Sequence, residues 1–327
     1  MVLMPRHRLS PLPLGSVLLA LCLASPALHS AWADTNAPAA FNKAMPENVA
    51  DLKVMQTHVR ALVARVTPAV VNVKIGMGQG SGVIVSADGF ILTAGHVSGT
   101  PGRAAEITLA DGRKVKGKTL GFNRNIDSGM IKIETKGTWP HVALGDSAAL
   151  KKGQWCLAIG HPTGLKPGRS PVVRLGRVLD SGKALIRTDC TLVGGDSGGP
   201  LFDMDGKVIG IHSRIAGPLT ANIHVPVDTY RENWERLARA EDPWIGVVGD
   251  PDSAECKILQ VGPGSPAAKA GVKVNDVVVN FGGRRISDFE SLRTQVQRFR
   301  PGQRVSVEVM RGDETVNLEL VVGNRPG

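Results

Sequence analysis

Aromatic side chains are scarce: Phe, Trp and Tyr together make up 4% of the 327 residues, with a single Tyr. Any core must therefore rest mainly on Val, Ile, Leu and Ala. Cysteine is sparse too. Of four, Cys22 lies near the N-terminus and Cys156, Cys190 and Cys256 lie in the body of the chain. Three thiols without CxxC spacing exclude a disulfide-dense scaffold and argue against a metal site. Cys156 and Cys190 fit either a bond or a pair of small buried thiols, the second being expected. No HExxH-type pair is present, so no metal and no cofactor is expected. No Lys/Arg cluster is interleaved with aromatics, which excludes nucleic acid as an expected partner. Internal repeats and low-complexity tracts are absent. No apolar run reaches the roughly 20 residues of a membrane-spanning helix.

What is present is glycine, with 39 residues, as suits a turn-rich β protein. The balance of 42% apolar and 21% charged residues is that of a globular chain, and its length suits two domains. Arg6 and Arg8 precede a largely apolar stretch, Leu14 to Leu28, and then Ala31-Trp32-Ala33 followed by Asp34. This is the pattern of a signal peptide over 1–33, with an uncleaved anchor as the alternative. The expected location is extracytoplasmic, periplasmic or secreted. Removal of 1–33 takes away two Arg and no acid, so the net charge of +10 becomes +8. Such a surface suits anionic envelope polymers or membrane faces, or simply solubility.

Residues 34–66 read as an N-terminal arm with a helix-compatible stretch over Val49–Val63. From 67 to 242 the pattern is short Val/Ile-rich runs broken by turns. Asp88-Gly89, Asp111-Gly112 and Asp205-Gly206 each sit between two such runs and predict tight hairpins. Strands at this spacing predict a barrel or sandwich. One helix, Asp228 to Ala240 with Asp228 as its cap, should close the region before Asp242-Pro243. The segment 243–327 forms a second unit. It has strands at Lys257–Val261 and Asp276–Phe281, helices at Pro266–Ala270 and near Phe289–Phe299, and a hairpin across Arg311-Gly312-Asp313.

The chemistry concentrates in three places. Gly194-Gly195-Asp196-Ser197-Gly198-Gly199-Pro200 surrounds a serine with glycines. A serine hydroxyl needs a base to take its proton and donors for the oxyanion it creates. A sharp glycine turn lets the Gly195 and Ser197 amides converge on one point. Ile91-Leu92-Thr93-Ala94-Gly95-His96-Val97 supplies a base at a strand end; His58, His141, His161, His212 and His224 lack comparable context. Asn125-Ile126-Asp127-Ser128-Gly129 supplies an acid that can hold the imidazole tautomer.

Together these residues resemble the HtrA (Deg) family of trypsin-like serine proteases, and the resemblance covers nearly all of 68–323. Gly80-Ser81-Gly82-Val83-Ile84-Val85 is similar to its first-barrel signature, and Leu157-Ala158-Ile159-Gly160-His161-Pro162 to its second-barrel strand. The resemblance implies a mainly β fold: a trypsin-like double six-stranded β-barrel over 67–242, followed by a PDZ domain over 243–327. It implies His96 as general base, Asp127 as its orienting acid and Ser197 as nucleophile. Gly195 and Ser197 would form the oxyanion hole, and Ser213 would support Asp127. Thr191 would lie at the base of the substrate pocket with Leu192 and Ile215 nearby, which suits a medium aliphatic side chain.

Pro263-Gly264-Ser265-Pro266 through Gly271 and Asn275-Asp276-Val277-Val278 resemble the central PDZ motif. By that match Trp244, Ile245, Gly246 and Val247 form a loop that receives a peptide C-terminus. The expected function is an endopeptidase acting on unfolded or specific envelope proteins. The alternative is a catalytically silent peptide-binding chaperone or adaptor. A homotrimer is implied by the resemblance alone.

Three departures stand out. The family usually has Asn before its serine, whereas this chain has Asp196; digestive trypsin-like enzymes pair that acid with a freed N-terminus, and no Ile-Val-Gly-Gly start precedes this barrel. Asp196 needs another partner, which the sequence does not name. Arg214 stands where a flat or small residue often edges the substrate cleft. The long loop that some members insert before Gly80 is absent.

Overall fold

The computed structural model describes residues 37–166, 168–215, 222–250 and 252–326; the expected leader, 1–33, lies outside the described residues. Helix α1 spans Val49–Val66, starting where the Asn48 side chain accepts from the Asp51 amide. Its buried residues Met55, Leu62 and Val66 share one face. That face carries the helix past the expected end at Val63, and Pro68 follows. The arm docks on the second barrel, where His58 Nε2 lies 2.7 Å from the Met204 carbonyl. Phe41 lies between His58 and Trp155, with ring centroids at 5.2 and 6.1 Å.

Six strands form the first barrel: β1 (Val70–Ile75), β2 (Gly78–Ile84), β3 (Phe90–Ala94), β4 (Ala104–Thr108), β5 (Lys114–Asn123) and β6 (Ser128–Ile133). A single turn, α2 (Gly95–Ser98), follows β3. The second barrel comprises β7 (Trp155–Gly160), β8 (Val172–Ser181), β9 (Ile186–Thr188), β10 (Pro200–Phe202), β11 (Val208–Ile215) and β12 (Asn222–Pro226). Both are closed, in the orders β1-β2-β3-β6-β5-β4 and β7-β8-β9-β12-β11-β10. The two orders are the same path, so a repeat absent from the sequence is present in the topology. All three Asp-Gly turns form, with φ of 92° at Gly89, 85° at Gly112 and 81° at Gly206. Fully buried Val70, Val71, Ile84, Ile91, Ile107 and Ile131 fill the first barrel, the aliphatic core that so few aromatics require. The single tyrosine, Tyr230, is fully buried and donates its hydroxyl to the Thr93 carbonyl at 2.7 Å.

The expected helix Asp228–Ala240 is instead two short ones, α3 (Val227–Glu232) and α4 (Trp234–Ala238), broken at Asn233. Asn233 turns its side-chain amide back onto the Thr229 carbonyl at 2.7 Å, competing with the helix ladder. Asp228 is not a cap. Its carboxylate accepts from the amides of Ser147 and Ala148 and the Ser147 hydroxyl, pinning α3 to the inter-barrel segment. Tertiary hydrogen bonds have overridden a local signal.

The C-terminal unit contains β13 (Pro243–Trp244), β14 (Val247–Gly249), β15 (Ile258–Val261), α5 (Pro266–Ala270), β16 (Val277–Phe281) and β17 (Arg284–Arg285). It continues through α6 (Phe289–Val296), β18 (Arg304–Arg311), β19 (Glu314–Val321) and β20 (Gly323–Asn324). Ser265 caps α5, and Asp288 with Ser291 forms a capping box on α6. Helix α6 stops at Val296, short of the expected Phe299. The unit has its own core around Ile258, Phe281, Leu292 and Val309. It meets the barrels through polar contacts: Arg325 with Asp242 at 2.9 Å, Arg293 with Asn125 at 3.0 Å, and Arg236 with Gln297. Among the described residues no helix is long and apolar enough to cross a membrane.

Separate cores should melt separately. Phe281→Ala should cost about 3–5 kcal/mol and be felt in β16 to β19 alone. Hydrogen exchange should show those amides losing protection while β1 to β6 keep theirs; equal loss in both would mean one shared cooperative unit.

Candidate active site

The first barrel presents an imidazole and a carboxylate at one rim. His96 sits in α2, directly after β3, and Asp127 lies in the turn between β5 and β6. Asp127 has a φ of 56°, a costly conformation for a residue with a side chain. Its hydrogen bonds explain how it is held. Its carbonyl accepts from the Gly95 amide at 2.8 Å, and Oδ1 accepts from the His96 amide at 2.9 Å. His96 Nδ1 then lies 3.0 Å from both carboxylate oxygens. From the second barrel, Ser213 on β11 donates its hydroxyl to Asp127 Oδ2 at 2.6 Å. The carboxylate is thus saturated, with the imidazole oriented by Nδ1 and its Nε2 left for other work.

The electrostatics follow. The Asp127 hydrogen bond raises the His96 pKa above its ordinary 6.5, against burial, which lowers it. Burial pushes Asp127 up, but the hydrogen bonds from His96 and Ser213 outweigh it and leave the carboxyl below 3.8. Three other histidines are kept neutral inside the second barrel. Burial lowers His161 to about 4 and His224 to about 3. His212, also lowered by burial, shares a 2.9 Å Nδ1–Nδ1 contact with His224.

Ser197 stands on a turn between β9 and β10. Asp196 donates its amide to the Val193 carbonyl at 3.1 Å, and Gly199 donates to the Asp196 carbonyl at 2.8 Å. Gly195 and Gly198 take φ of 96° and 86°, and a Cβ at Gly198 would collide with the Ser81 carbonyl and the Thr93 hydroxyl. The amides of Gly195 and Ser197 donate to no acceptor among the described residues. Ser197 Oγ donates to the Ser213 carbonyl at 3.3 Å, and no hydrogen bond joins it to His96. Bonds between nucleophile and base are often long before a substrate is engaged.

One neighbour of the serine turn has no local sequence signal for its place there. Ser81 of the Gly80-Ser81-Gly82 run donates its hydroxyl to the Gly195 carbonyl at 2.9 Å and accepts from the His161 amide at 2.9 Å. Its own amide donates to the Ser197 carbonyl at 2.8 Å. The run was visible as a motif, but its role depends on which strand faces the serine turn. Asp196 likewise finds its partner only in three dimensions: Arg174 on β8, at 2.9 Å.

Leu192 is buried and its amide donates to Asn222 Oδ1 at 2.8 Å. Thr191 is exposed beside it, and Ile215 and Arg214 are exposed at the end of β11, next to 216–221, which lie outside the described residues. Cys156 and Cys190 are free buried thiols with sulfurs 3.9 Å apart. In the C-terminal unit, Trp244 to Val247 run from β13 into β14, with Gly246 at a φ of 80°. Its carbonyl accepts from the Gly262 amide at 2.8 Å. A Cβ at Gly246 would strike Ser265, so Gly246→Val would deform the loop itself. Ile245, Gly246 and Val247 line a cleft with Leu292 and Arg293 of α6, and Asn123 to Asn125 of the first barrel border the same cleft.

The raised His96 value has a consequence for titration. Protonated His96 stabilises the fold below pH 6.5, and this stabilisation is lost as pH rises through the higher folded value. In Asp127→Asn the shift should disappear. Imidazole NMR titration should place the wild-type midpoint above 6.5 and the variant's lower; equal midpoints would mean that Asp127 does not govern His96.

Residues 80–211 match the family model of a trypsin-like peptidase domain, and 243–322 that of a PDZ domain. The chain is 33% identical over 270 residues to the Halomonas elongata protein named "Probable periplasmic serine endoprotease DegP-like", covering 76% of this chain and 56% of that one. A Pseudomonas putida protein of the same name matches at the same identity and coverage. The chain therefore spans little more than half the length of these curated relatives. Among solved structures, the HtrA-type protease AlgW with decapeptide is similar with a TM-score of 0.60 at 28% identity, over 81% of this chain and 98% of that one. The serine endoprotease from Yersinia pestis is similar with a TM-score of 0.62 at 26% identity, over 82% and 98%. With two closed barrels, one PDZ domain and relatives at this identity, the chain belongs to the HtrA (Deg) family of trypsin-like serine proteases.

Proposed function

We propose that this protein is an extracytoplasmic serine endopeptidase that cleaves unfolded or specific envelope proteins through an acyl-enzyme. The observation that carries this reading is the hydrogen-bonded series Ser213–Asp127–His96 at the rim facing Ser197. In the proposed reaction Ser197 Oγ attacks the scissile carbonyl carbon while its proton passes to His96 Nε2. Asp127 holds the imidazole by Nδ1 and stabilises the imidazolium without taking the proton. The carbonyl oxygen, now negative, lies against the Gly195 and Ser197 amides, which have no acceptor to release among the described residues. His96 then protonates the leaving amine; a water, deprotonated by the same nitrogen, attacks the ester carbonyl, and His96 returns that proton to Ser197 Oγ as the carboxylic acid product leaves.

Thr191, Leu192 and Ile215 are proposed to edge a neutral pocket for a medium aliphatic side chain. Trp244 to Val247 are proposed to receive a peptide C-terminus, with the β14 edge pairing with the peptide. A second reading, the silent peptide-binding adaptor, draws support from the Ser197 hydroxyl bonding to Ser213 rather than to His96.

One experiment separates these readings and a second tests the peptide loop. A fluorophosphonate should label the wild-type protein and not Ser197→Ala, and casein cleavage should fall by several orders of magnitude in that variant. An unlabelled wild type would favour the adaptor. With full-length Ser197→Ala protein, a peptide ending in a free apolar carboxylate should bind about ten- to a hundredfold more tightly than its amide, as read by calorimetry. Equal affinities would remove the terminus-reading role.

A further inference from the structure

Asp196 is fully buried, with no exposed side-chain surface, and it sits inside the turn that carries the proposed oxyanion donors. A buried carboxylate without a counter-charge is costly enough that it protonates or leaves its site. Here Oδ2 accepts from Arg174 Nη2 at 2.9 Å and from the Val193 amide at 3.0 Å. The Asp196 amide returns a bond to the Val193 carbonyl at 3.1 Å. The side chain and backbone of Asp196 therefore clasp the same residue from both sides, and Gly195 lies in the span between them. On the far side, a Cβ at Gly160 would lie 2.5 Å from Asp196 Oδ1, so the carboxylate fits against bare backbone.

Arg174 arrives with the fold. It lies on β8, paired in register with Ala158 of β7, and its side chain is 18% exposed. Arg169 bonds elsewhere, to the Gly164 carbonyl at 2.7 Å and to that of Pro162. His212, also nearby, is kept neutral by burial first and by the Arg174 charge as one of the lesser causes. The bond is single, since Arg174 Nη1 and Asp196 Oδ1 find no partner among the described residues. Two desolvated charges joined by one hydrogen bond, each with an idle atom, add little stability over apolar packing. Stability does not account for the pair; geometry does.

We infer that Arg174 is a positioning residue for the oxyanion turn, an internal cation that holds Asp196, and through it the Gly195 and Ser197 amides, in place without any chain cleavage. The inference rests on the serine-endopeptidase reading. Without the guanidinium, the carboxylate loses its bonded counter-charge and keeps only the weaker field of Arg169; the Val193–Asp196 turn relaxes and the Gly195 amide leaves the point where the oxyanion would form. His96, Asp127 and Ser213 are untouched, because they are anchored in α2, the β5–β6 turn and β11.

The test compares second-order fluorophosphonate labelling rates for wild type, Arg174→Met, Arg174→Lys and the neutral pair Arg174→Met with Asp196→Asn. The expectation is a loss of about a hundredfold in Arg174→Met, the scale of one misplaced oxyanion donor. The His96 titration should remain as in wild type. Lysine should retain most of the rate, and the neutral pair should recover it, since an asparagine needs no counter-charge yet can still accept from Val193. If Arg174→Met proves unfolded, the folded neutral pair and the lysine variant still decide the matter: rates near wild type in both support the inference. A wild-type rate in Arg174→Met, or a neutral pair no faster than that single variant, overturns it. Failure of wild type itself to label overturns the serine-endopeptidase reading, and the inference with it.

Discussion

Ser81 of the first barrel donates to the Gly195 carbonyl, and Ser213 of the second donates to Asp127, so each barrel fixes a group that belongs to the other's half of the cleft. Neither barrel alone holds a complete site. A closed barrel is stiff, because its strands have no free edge and its interior is packed with aliphatic side chains. The position of His96 against the serine turn is then set by a few short bonds across the seam. Those bonds also explain the local strain. Asp127 keeps a left-handed backbone because its carbonyl, both carboxylate oxygens and its neighbours' amides are all engaged.

The same seam explains which features were legible in the sequence. Hairpins at Asp88-Gly89, Asp111-Gly112 and Asp205-Gly206 are local events, written in the residues that form them. The motifs around His96, Asp127 and Ser197 were legible because each carries its own glycine or strand context. What the chain order hides is contact between distant strands. The partner of Asp196 is on β8, and the role of Ser81 appears only when β2 is laid beside the serine turn. The break at Asn233 is similar: the pattern 228–240 suits a helix, but Ser147 captures Asp228 and Asn233 bonds backwards. The shared topology of the two barrels was invisible because strand order, unlike side-chain identity, leaves no spacing signal.

The C-terminal unit adds a different physical element. Its core is its own, and among the described residues its hydrogen bonds to the barrels involve the polar side chains of Arg293, Arg325, Gln297 and Asn324. Interfaces of this polar kind permit relative motion more readily than apolar ones. The cleft beside Gly246 is bordered by Asn123 to Asn125, two residues before Asp127. That cleft and the candidate site therefore share a boundary, while the two halves of the site remain fixed by the barrels.

In the proposed reaction Ser197 becomes covalently acylated during turnover. Protein mixed with an activated ester and quenched in acid within milliseconds should carry one acyl group, which peptide mass mapping should place on the segment containing Ser197. Wild-type protein without an adduct, or with an acyl group on any other residue, would mean that Ser197 is not the nucleophile.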